Sequence, residues 1–417
     1  MLYYLAKFIM TPALWLYFRK SSFLWAEKIP AKGPVVIISN HAASFLDAMI
    51  MGVKLRRPMY YYVRSDVFKG RLTRFILNQL HMIPIYSKEK DKSELHRNAD
   101  SFNVGEEVLK NDGLLLIFPE GTSRVERNLL PLKKGVSRIV MQALQKSPGK
   151  PLYIVPLGIH YSRHAFRSDL QLVSGDPVPV NTFSELYQSN PAKAINQLTE
   201  ELEEHFEKVV LYVDQPERTT VLENNLQMAD NDQGKQFTEA DFCRQKRICR
   251  QLSSLNEDEY KIVEHKQLSY LATLSAYGVN DKSFSEKSLR TLPPLLLVIC
   301  FPLFALGIIL NIWPYLVGRK TADKKVTRVD FYTSVLVAVA AVVYFAWILL
   351  WLTIAIIFSS VWITVICILS PFLAWFALWW TDRYRDWINQ QQFEKLHRDE
   401  PDKIIKLKEL RKEFLNG

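Results

Sequence analysis

Residues 37–47 read Ile-Ile-Ser-Asn-His-Ala-Ala-Ser-Phe-Leu-Asp, and this stretch decides the fold of the N-terminal half of the chain. The apolar run that ends at Ser39 is typical of a buried strand. The run that follows predicts a helix, with Ser44 as its N-cap. His41 and Asp47 therefore lie where a strand passes into a helix. Ligands of α/β proteins bind at such places, beyond the carboxyl ends of the strands.

The spacing between His41 and Asp47 limits how the two side chains can meet. On one continuous helix, six steps would place them about 120° apart. They can pair only if His41 lies in the loop and Asp47 in the first turns of the helix. The carboxylate would then fix the tautomer of the imidazole, whose other nitrogen can take a proton from a hydroxyl. Taken alone, this pattern favours a capping or core histidine over a catalytic base.

A second motif, Phe-Pro-Glu-Gly-Thr-Ser-Arg at residues 118–124, also follows an apolar run. Gly121 allows the backbone to approach a ligand closely, and Arg124 offers a fork of donors that suits phosphate. Lys133 and Lys134 precede a predicted helix, whose N-terminal amides also favour anions. Taken alone, this motif is equally compatible with an ordinary turn after a strand.

Short apolar strands alternate with amphipathic helices throughout residues 31–215. We expect strands near residues 35–39, 59–63, 82–86, 114–118 and 153–161, and helices near residues 44–53, 72–80, 136–144 and 191–209. This alternation predicts an α/β fold in which helices flank a largely parallel sheet. Both motifs follow predicted strands, so we expect them to meet at one edge of the sheet.

Together, these motifs resemble those of the glycerolipid acyltransferase superfamily. Its members include glycerol-3-phosphate and 1-acylglycerol-3-phosphate acyltransferases. The resemblance extends over about residues 30–215 and is carried by three blocks: Asn40-His41 with Asp47, residues 118–124, and Val155-Pro156-Leu157. The 118–124 block is highly specific, whereas the histidine and aspartate are specific only in its company.

The resemblance implies a mechanism in which His41, oriented by Asp47, deprotonates an acceptor hydroxyl. The hydroxyl oxygen then attacks the thioester of acyl-CoA or acyl carrier protein. The residues that would hold the glycerol phosphate are Glu120, Gly121, Thr122 and Arg124. From their spacing alone, Lys133 and Lys134 would add positive charge there. We expect no metal ion and no cofactor besides the acyl donor, which is a co-substrate.

Two departures from the common family pattern leave the acceptor open. Five residues separate His41 from Asp47, where four are usual; this spacing resembles a subgroup that includes fungal glycerol-3-phosphate/dihydroxyacetone-phosphate acyltransferases. It slightly favours glycerol 3-phosphate over 1-acylglycerol 3-phosphate. In addition, the strand near residues 82–86 is followed by Ser87-Lys88, where an arginine is often found. The candidate replacement cations are Lys88, Arg64 and Lys69.

The remainder of the chain predicts a membrane protein. Residues 291–318 and 331–381 contain no charged side chain, and the longer run can form two spans that turn near Ser359-Ser360. Four prolines interrupt the first run, so we expect it to be re-entrant or interfacial, and the second to be a hairpin. The basic residues around both runs would then share the cytoplasmic face with the catalytic domain.

These observations predict five regions. They are an N-terminal membrane-interface helix (1–30), an acyltransferase domain (31–215), a polar helical linker (216–290), a membrane region (291–381, with a re-entrant segment at 291–318 and a hairpin at 331–381) and a charged tail (382–417). We expect the tail either to lie against anionic lipid or to be a solvated helix. We expect the linker to be a solvated connector.

The net charge of +10 indicates an anionic partner. Lipid or a phosphorylated substrate fits better than nucleic acid, because no nucleic-acid-binding signature is present. The four cysteines have no metal-ligand spacing, and a disulfide framework is not expected. The partners expected are therefore the bilayer, acyl-CoA and a glycerol-phosphate or lysophospholipid acceptor. The alternative functions are a lysophospholipid transacylase and a non-catalytic lipid-binding or scaffold protein.

Overall fold

A computed structural model describes residues 1–86, 92–146, 149–234, 236–285 and 291–415. The chain divides into two compact units. The first comprises Met1–Val125, Leu129–Leu211 and Gly318–Val342; the second comprises Glu126–Asn128, Tyr212–Val317 and Val343–Gly417.

The first unit contains a mostly parallel sheet. Its strands, within the described residues, are β1 (Lys20–Leu24), β2 (Val35–Ser39), β3 (Met59–Arg64), β4 (Met82–Ile85), β5 (Leu114–Ile117), β6 (Tyr153–Tyr161), β7 (Asp169–Ser174) and β8 (Val178–Pro179). Their order is β1-β7-β6-β2-β5-β3-β4, with β8 beside β6. Neighbours run parallel, except that β7 and β8 are antiparallel to β6. The predicted α/β fold with a largely parallel sheet is therefore confirmed.

Helices accompany the sheet at the positions where the sequence alternates. Those of the first unit are α1 (Leu2–Tyr17), α2 (Phe45–Lys54), α3 (Arg71–Gln79), α4 (Asn98–Lys110), α5 (Gly135–Lys146), α6 (Ser184–Ser189) and α7 (Pro191–Val209). Strand β2 lies between β5 and β6, and all its residues are buried. A central strand of this kind explains why residues 35–38 are continuously apolar rather than alternating.

The position of β2 brings the two sequence motifs together. In the parallel pairing of β2 with β5, Ile38 lies opposite Ile117. Because both strands run in the same direction, the loops that begin at Asn40 and at Phe118 leave the sheet side by side. Residues separated by more than seventy positions thus meet at one edge of the sheet, as expected.

The N-terminal region corrects the expectation of an interface helix over residues 1–30. Helix α1 ends at Tyr17, and the following segment forms β1, an edge strand that pairs with β7. Arg19 supports this junction with hydrogen bonds of 3.0 and 2.7 Å to the carboxylate of Asp169. The sheet therefore begins before residue 31. Sequence patterns do not reveal β1, because it is short and contains two serines.

The second unit corrects the predictions for the linker and the tail. Its helices outside the apolar runs are α8 (Thr219–Gln233), α9 (Glu239–Ser254), α10 (Glu257–Tyr277) and, at the C-terminus, α14 (Pro401–Leu415). Helices α8, α10 and α14 share a core that contains Met228, Tyr270, Leu274, Val279 and Leu407. The buried Arg411 also donates to Asp281 at 2.9 Å. The linker is thus more than a solvated connector, and the tail packs one face against it.

Three helices carry the apolar runs: α11 (Pro294–Lys325), α12 (Val329–Ile357) and α13 (Val361–Asp399). Among the described residues, these are the helices long and apolar enough to cross a membrane. Helix α11 continues through Pro302 and Pro314, so the break expected there is absent. Membrane helices tolerate proline because neighbouring side chains and local adjustments of the helix satisfy the backbone carbonyls that lose their hydrogen bonds. Helices α12 and α13 turn at residues 358–360, near the predicted position. The re-entrant placement of 291–318 stays a prediction.

Candidate active site

The centre of the site is a hydrogen bond between His41 and Asp47. The distance between His41 Nδ1 and Asp47 Oδ2 is 2.9 Å. Helix α2 begins at Phe45, so Asp47 lies in its first turn and His41 lies in the preceding loop. This is the arrangement that their spacing requires for pairing.

Asp47 is held by two further donors. Its side chain is fully buried, and its oxygens accept hydrogen bonds from the backbone N–H of Ala43 at 2.9 Å and from the hydroxyl of Tyr161 at 2.5 Å. Burial, and then the neighbouring Asp47 carboxylate, raise the pKa of Tyr161 well above its usual value, which keeps the phenol a donor. The carboxylate is therefore fixed in position relative to the imidazole.

The His41 imidazole is also held by stacking. It lies 3.8 Å from the Phe118 ring, centroid to centroid, with 15° between the planes, and its side chain is 19% exposed. With Nδ1 directed at Asp47, a neutral imidazole that donates from Nδ1 carries its lone pair on Nε2. Such a nitrogen can accept a proton from a bound hydroxyl.

Backbone contacts connect the site loops to each other and to the sheet. The side-chain amide of Asn40 accepts a hydrogen bond from the Ile159 N–H at 2.8 Å and donates one to the Ile159 carbonyl at 2.9 Å. The N–H of Arg124 donates to the His41 carbonyl at 2.9 Å. These bonds hold the loop after β2 between β6 and the residue 118–124 loop.

The residue 118–124 loop turns at Gly121, which has φ +70° and whose N–H donates to the Phe118 carbonyl at 3.0 Å. The Lys133 side chain crosses this turn so closely that a Cβ on Gly121 would lie 2.4 Å from Lys133 Nζ. Thr122 and Lys134 are exposed. Of the two predicted lysines, the contacts of the described residues bring Lys133, and not Lys134, to Gly121.

Glu120 differs from the other predicted binding residues because its side chain is buried, with 5% exposed. Burial raises the pKa of Glu120 to about 7, although Arg124, His41 and a hydrogen bond with the backbone of Leu130 each lower it. Glu120 therefore changes its charge near neutral pH, close to the His41 imidazole.

The three candidate replacement cations have different surroundings. Arg64, at the end of β3, forms an ion pair with Asp66. Lys69 is exposed, and Lys88 lies outside the described residues. The contacts of the described residues bring neither Arg64 nor Lys69 to Gly121.

Sequence reasoning assigned no role to two residues that shape the site. Tyr161, on β6, is far from Asp47 in the sequence, and no local pattern connects them. The pair of hydrogen bonds between the Asn40 side chain and the Ile159 backbone was also not predicted, although Asn40 is next to His41. A buried tyrosine near the carboxyl end of a predicted strand was the available signal for Tyr161, because its hydroxyl needs a partner.

The fold and the site have the features that the resemblance to glycerolipid acyltransferases implies. The sequence profile of the family described as acyltransferase matches residues 23–160, which span β2, the His41 loop and the residue 118–124 loop. This match covers about a third of the chain and supports its resemblance to the glycerolipid acyltransferase superfamily.

Among curated proteins, the chain is similar to two glycerol-3-phosphate O-acyltransferases of Saccharomyces cerevisiae. Number 2 is 33% identical over 107 residues (25% of this chain, 14% of the relative), and number 1 is 40% identical over 75 residues (18% and 10%). An uncharacterised acyltransferase of Schizosaccharomyces pombe is 22% identical, covering 44% of this chain and 41% of the relative. The chain thus matches less than half the length of each of these relatives.

Among solved structures, the chain is similar to the 1-acyl-sn-glycerophosphate acyltransferase of Thermotoga maritima. The sequences are 20% identical, the TM-score is 0.34, and the match covers 48% of this chain and 80% of that one.

Proposed function

We propose that this protein transfers a fatty acyl group from acyl-CoA or acyl carrier protein to a hydroxyl of a glycerol-phosphate acceptor in phospholipid synthesis. The observation that carries the proposal is the 2.9 Å contact between His41 and Asp47 beside the residue 118–124 loop. A buried carboxylate behind a partly exposed imidazole is the arrangement that general-base catalysis needs.

In the proposed reaction, His41 Nε2 removes the proton from the acceptor hydroxyl as its oxygen attacks the thioester carbonyl carbon. Asp47 stabilises the imidazolium that forms. The tetrahedral intermediate then collapses, the C–S bond breaks, and the thiolate leaves with the proton returned by His41. The products are an ester and a free thiol, so no acyl-enzyme is required.

The acceptor phosphate would bind at the residue 118–124 loop. Arg124 and Lys133 supply positive charge, and Gly121 lets the backbone approach the ligand. Thr122 is an exposed hydroxyl beside them. We propose that Glu120 orients an acceptor hydroxyl, because its carboxyl group is buried near the imidazole.

Lys134 would add long-range attraction rather than direct contact, because Lys133 is the lysine that lies against Gly121.

Glycerol 3-phosphate is the acceptor we favour over 1-acylglycerol 3-phosphate. The two similar yeast proteins are both described as glycerol-3-phosphate O-acyltransferases. The spacing between His41 and Asp47 resembles the same branch of the superfamily.

We also propose that the catalytic domain lies on the cytoplasmic surface of the membrane. Phe8 on α1 and both Leu72 and Phe75 on α3 are large apolar side chains with more than half their surface exposed, which suits the bilayer interface. Arg328, in the basic segment before α12, donates to the Ser123 carbonyl at 3.3 Å. This contact supports a common side for that segment and the catalytic domain.

Orientation can be tested by labelling Lys324→Cys, an exposed position, with a membrane-impermeant thiol reagent in a variant whose exposed Cys243 is replaced by serine. Labelling from the cytoplasmic side only is expected. Labelling from the opposite side only would exclude the proposed orientation.

The reaction can be tested with the purified full-length protein in lipid nanodiscs, radiolabelled acyl-CoA and each acceptor in turn. Loss of a general base lowers the rate by about 10²- to 10⁴-fold, so His41→Ala should lose nearly all activity. His205→Ala, a helix-surface histidine on α7, is the matched control and should retain it. Equal turnover by His41→Ala and the wild type would refute the mechanism. Turnover with 1-acylglycerol 3-phosphate and not with glycerol 3-phosphate would show that the favoured acceptor is wrong.

A further inference from the structure

The first turns of helix α12 contact the loop that carries His41. Residues 318–342 belong to the same compact unit as the sheet. Ser334 is fully buried. Its hydroxyl donates to the Ala43 carbonyl at 2.5 Å and accepts from the Leu46 N–H at 3.0 Å. One side chain of a helix predicted to enter the membrane thus bridges both sides of the turn that starts α2.

This bridge is one residue away from the His41–Asp47 pair. The Ala43 carbonyl accepts a hydrogen bond from Ser334. The Ala43 N–H donates to the same Asp47 oxygen that His41 contacts. Ser44 occupies the N-cap position of α2 with φ 49° and ψ −134°, and its side chain makes no capping hydrogen bond. The capping role expected of Ser44 is therefore supplied by Ser334 from a distant segment.

A second contact from the same face of α12 reaches the other site loop. Asp330 lies four residues before Ser334, which is about one helical turn. Its carboxylate accepts a hydrogen bond from the Ser123 hydroxyl and pairs with the Arg328 guanidinium at 2.8 Å. Asp330 is buried, so the removal of a partner would leave a charge with reduced compensation.

We infer that the start of α12 is a positioning element for the active site. Ser334 holds the turn on which the His41–Asp47 pair depends, and Asp330 holds the residue 118–124 loop. Neither residue touches the reacting atoms. This inference rests on the proposed function. A positioning role of α12 also makes the active-site geometry depend on the position of α12 in the bilayer.

The test compares Ser334→Ala with Thr333→Ala in the full-length protein. Thr333 is also buried, and within the described residues its hydroxyl makes no hydrogen bond to either site loop. For Ser334→Ala we expect a kcat about tenfold lower and an acceptor KM within about twofold of the wild type, because misplaced catalytic groups slow the chemical step. Thr333→Ala should change neither value.

A second pair of variants reports on the other loop. Asp330→Ala and Ser123→Ala both remove the hydrogen bond between α12 and the residue 118–124 loop, from its two sides. We expect each to raise the acceptor KM several-fold, with a smaller effect on kcat, because this loop is proposed to bind the phosphate. A general loss of stability would instead affect Ser334 and Asp330 variants alike, without this division between kcat and KM.

Hydrogen exchange provides a readout that does not require activity. Ser334→Ala removes two hydrogen bonds to this turn, so amides in residues 42–47 should exchange at least about fivefold faster than in the wild type. Unchanged exchange, or a kcat loss equal to that of Thr333→Ala, would overturn the inference while leaving the proposed function intact. If His41→Ala retained full turnover, the proposed function would fail, and the exchange comparison would still decide whether Ser334 holds this turn.

Discussion

Tyr161 donates a hydrogen bond of 2.5 Å to Asp47, although 114 positions separate the two residues in the sequence. Tyr161 ends β6, and Asp47 lies in the first turn of α2, so this bond fastens the catalytic helix to the sheet. Asp47 also receives the N–H of Ala43 and faces His41. These three donors fix the orientation of the buried Asp47 carboxylate.

Tyr161→Phe should lower both activity and stability. It removes one donor from a buried carboxylate, which costs about 1.5–3 kcal/mol in the free energy of unfolding. We expect kcat to fall by about three- to tenfold, because Asp47 loses part of its orientation. Tyr153→Phe, in the same strand and only half-buried, is the control for steady-state kinetics and thermal unfolding. Equal effects of the two substitutions would argue against this role.

Gly121→Ala should impair acceptor binding beyond the effect of backbone strain. A Cβ at this position meets Lys133 Nζ at 2.4 Å, and φ is +70°. Gly33 has φ +78° with nothing within 4 Å of such a Cβ, so Gly33→Ala isolates the strain alone. Strain costs each variant about 1 kcal/mol. Only Gly121→Ala should raise the acceptor KM in initial-rate assays; a similar rise in both would exclude the Lys133 contact as its cause.

Glu120→Gln should change how stability depends on pH. The folded protein raises the pKa of Glu120 from 4.5 to about 7, so the folded state holds a proton that the unfolded state has lost. Stability contributed by Glu120 is therefore full below about pH 4.5 and is lost as the pH rises to about 7 or above. The loss amounts to roughly 3 kcal/mol.

The measurement for Glu120→Gln is the free energy of unfolding between pH 5 and pH 8. The variant should gain stability relative to the wild type as the pH rises across this window. Glu126→Gln, which changes an exposed carboxylate nearby, should follow the wild type. Parallel curves for Glu120→Gln and the wild type would contradict the raised pKa.

Ser44→Gly should stabilise the protein. Ser44 has φ 49° and ψ −134°, a combination that glycine adopts far more readily than serine. We expect a gain of about 1 kcal/mol in the free energy of unfolding, with kcat within about twofold of the wild type. Ser44→Ala keeps the Cβ and should bring no such gain. If the alanine variant is equally stabilised, backbone strain is not the reason.

The N-terminal and C-terminal segments show where sequence patterns are insufficient. Strand β1 has a weak local signal, yet it completes the sheet by pairing with β7. The charged tail shows little apolar patterning, yet Ile404 and Leu407 are fully buried. Both segments acquire their structure from partners elsewhere in the chain, and no short window of sequence contains those partners.

The sequence by itself determined the α/β alternation, the resemblance to the acyltransferase superfamily, the two apolar runs and the placement of His41 in a loop before Asp47. These features depend on residue type and on periodicity over a few turns or strand residues, which are local properties. Only the tertiary structure decided that Tyr161, Asn40 and Ser334 hold the site. Their partners lie on segments that meet through strand order and helix packing, so the hydrogen bonds become visible only when the chain is folded.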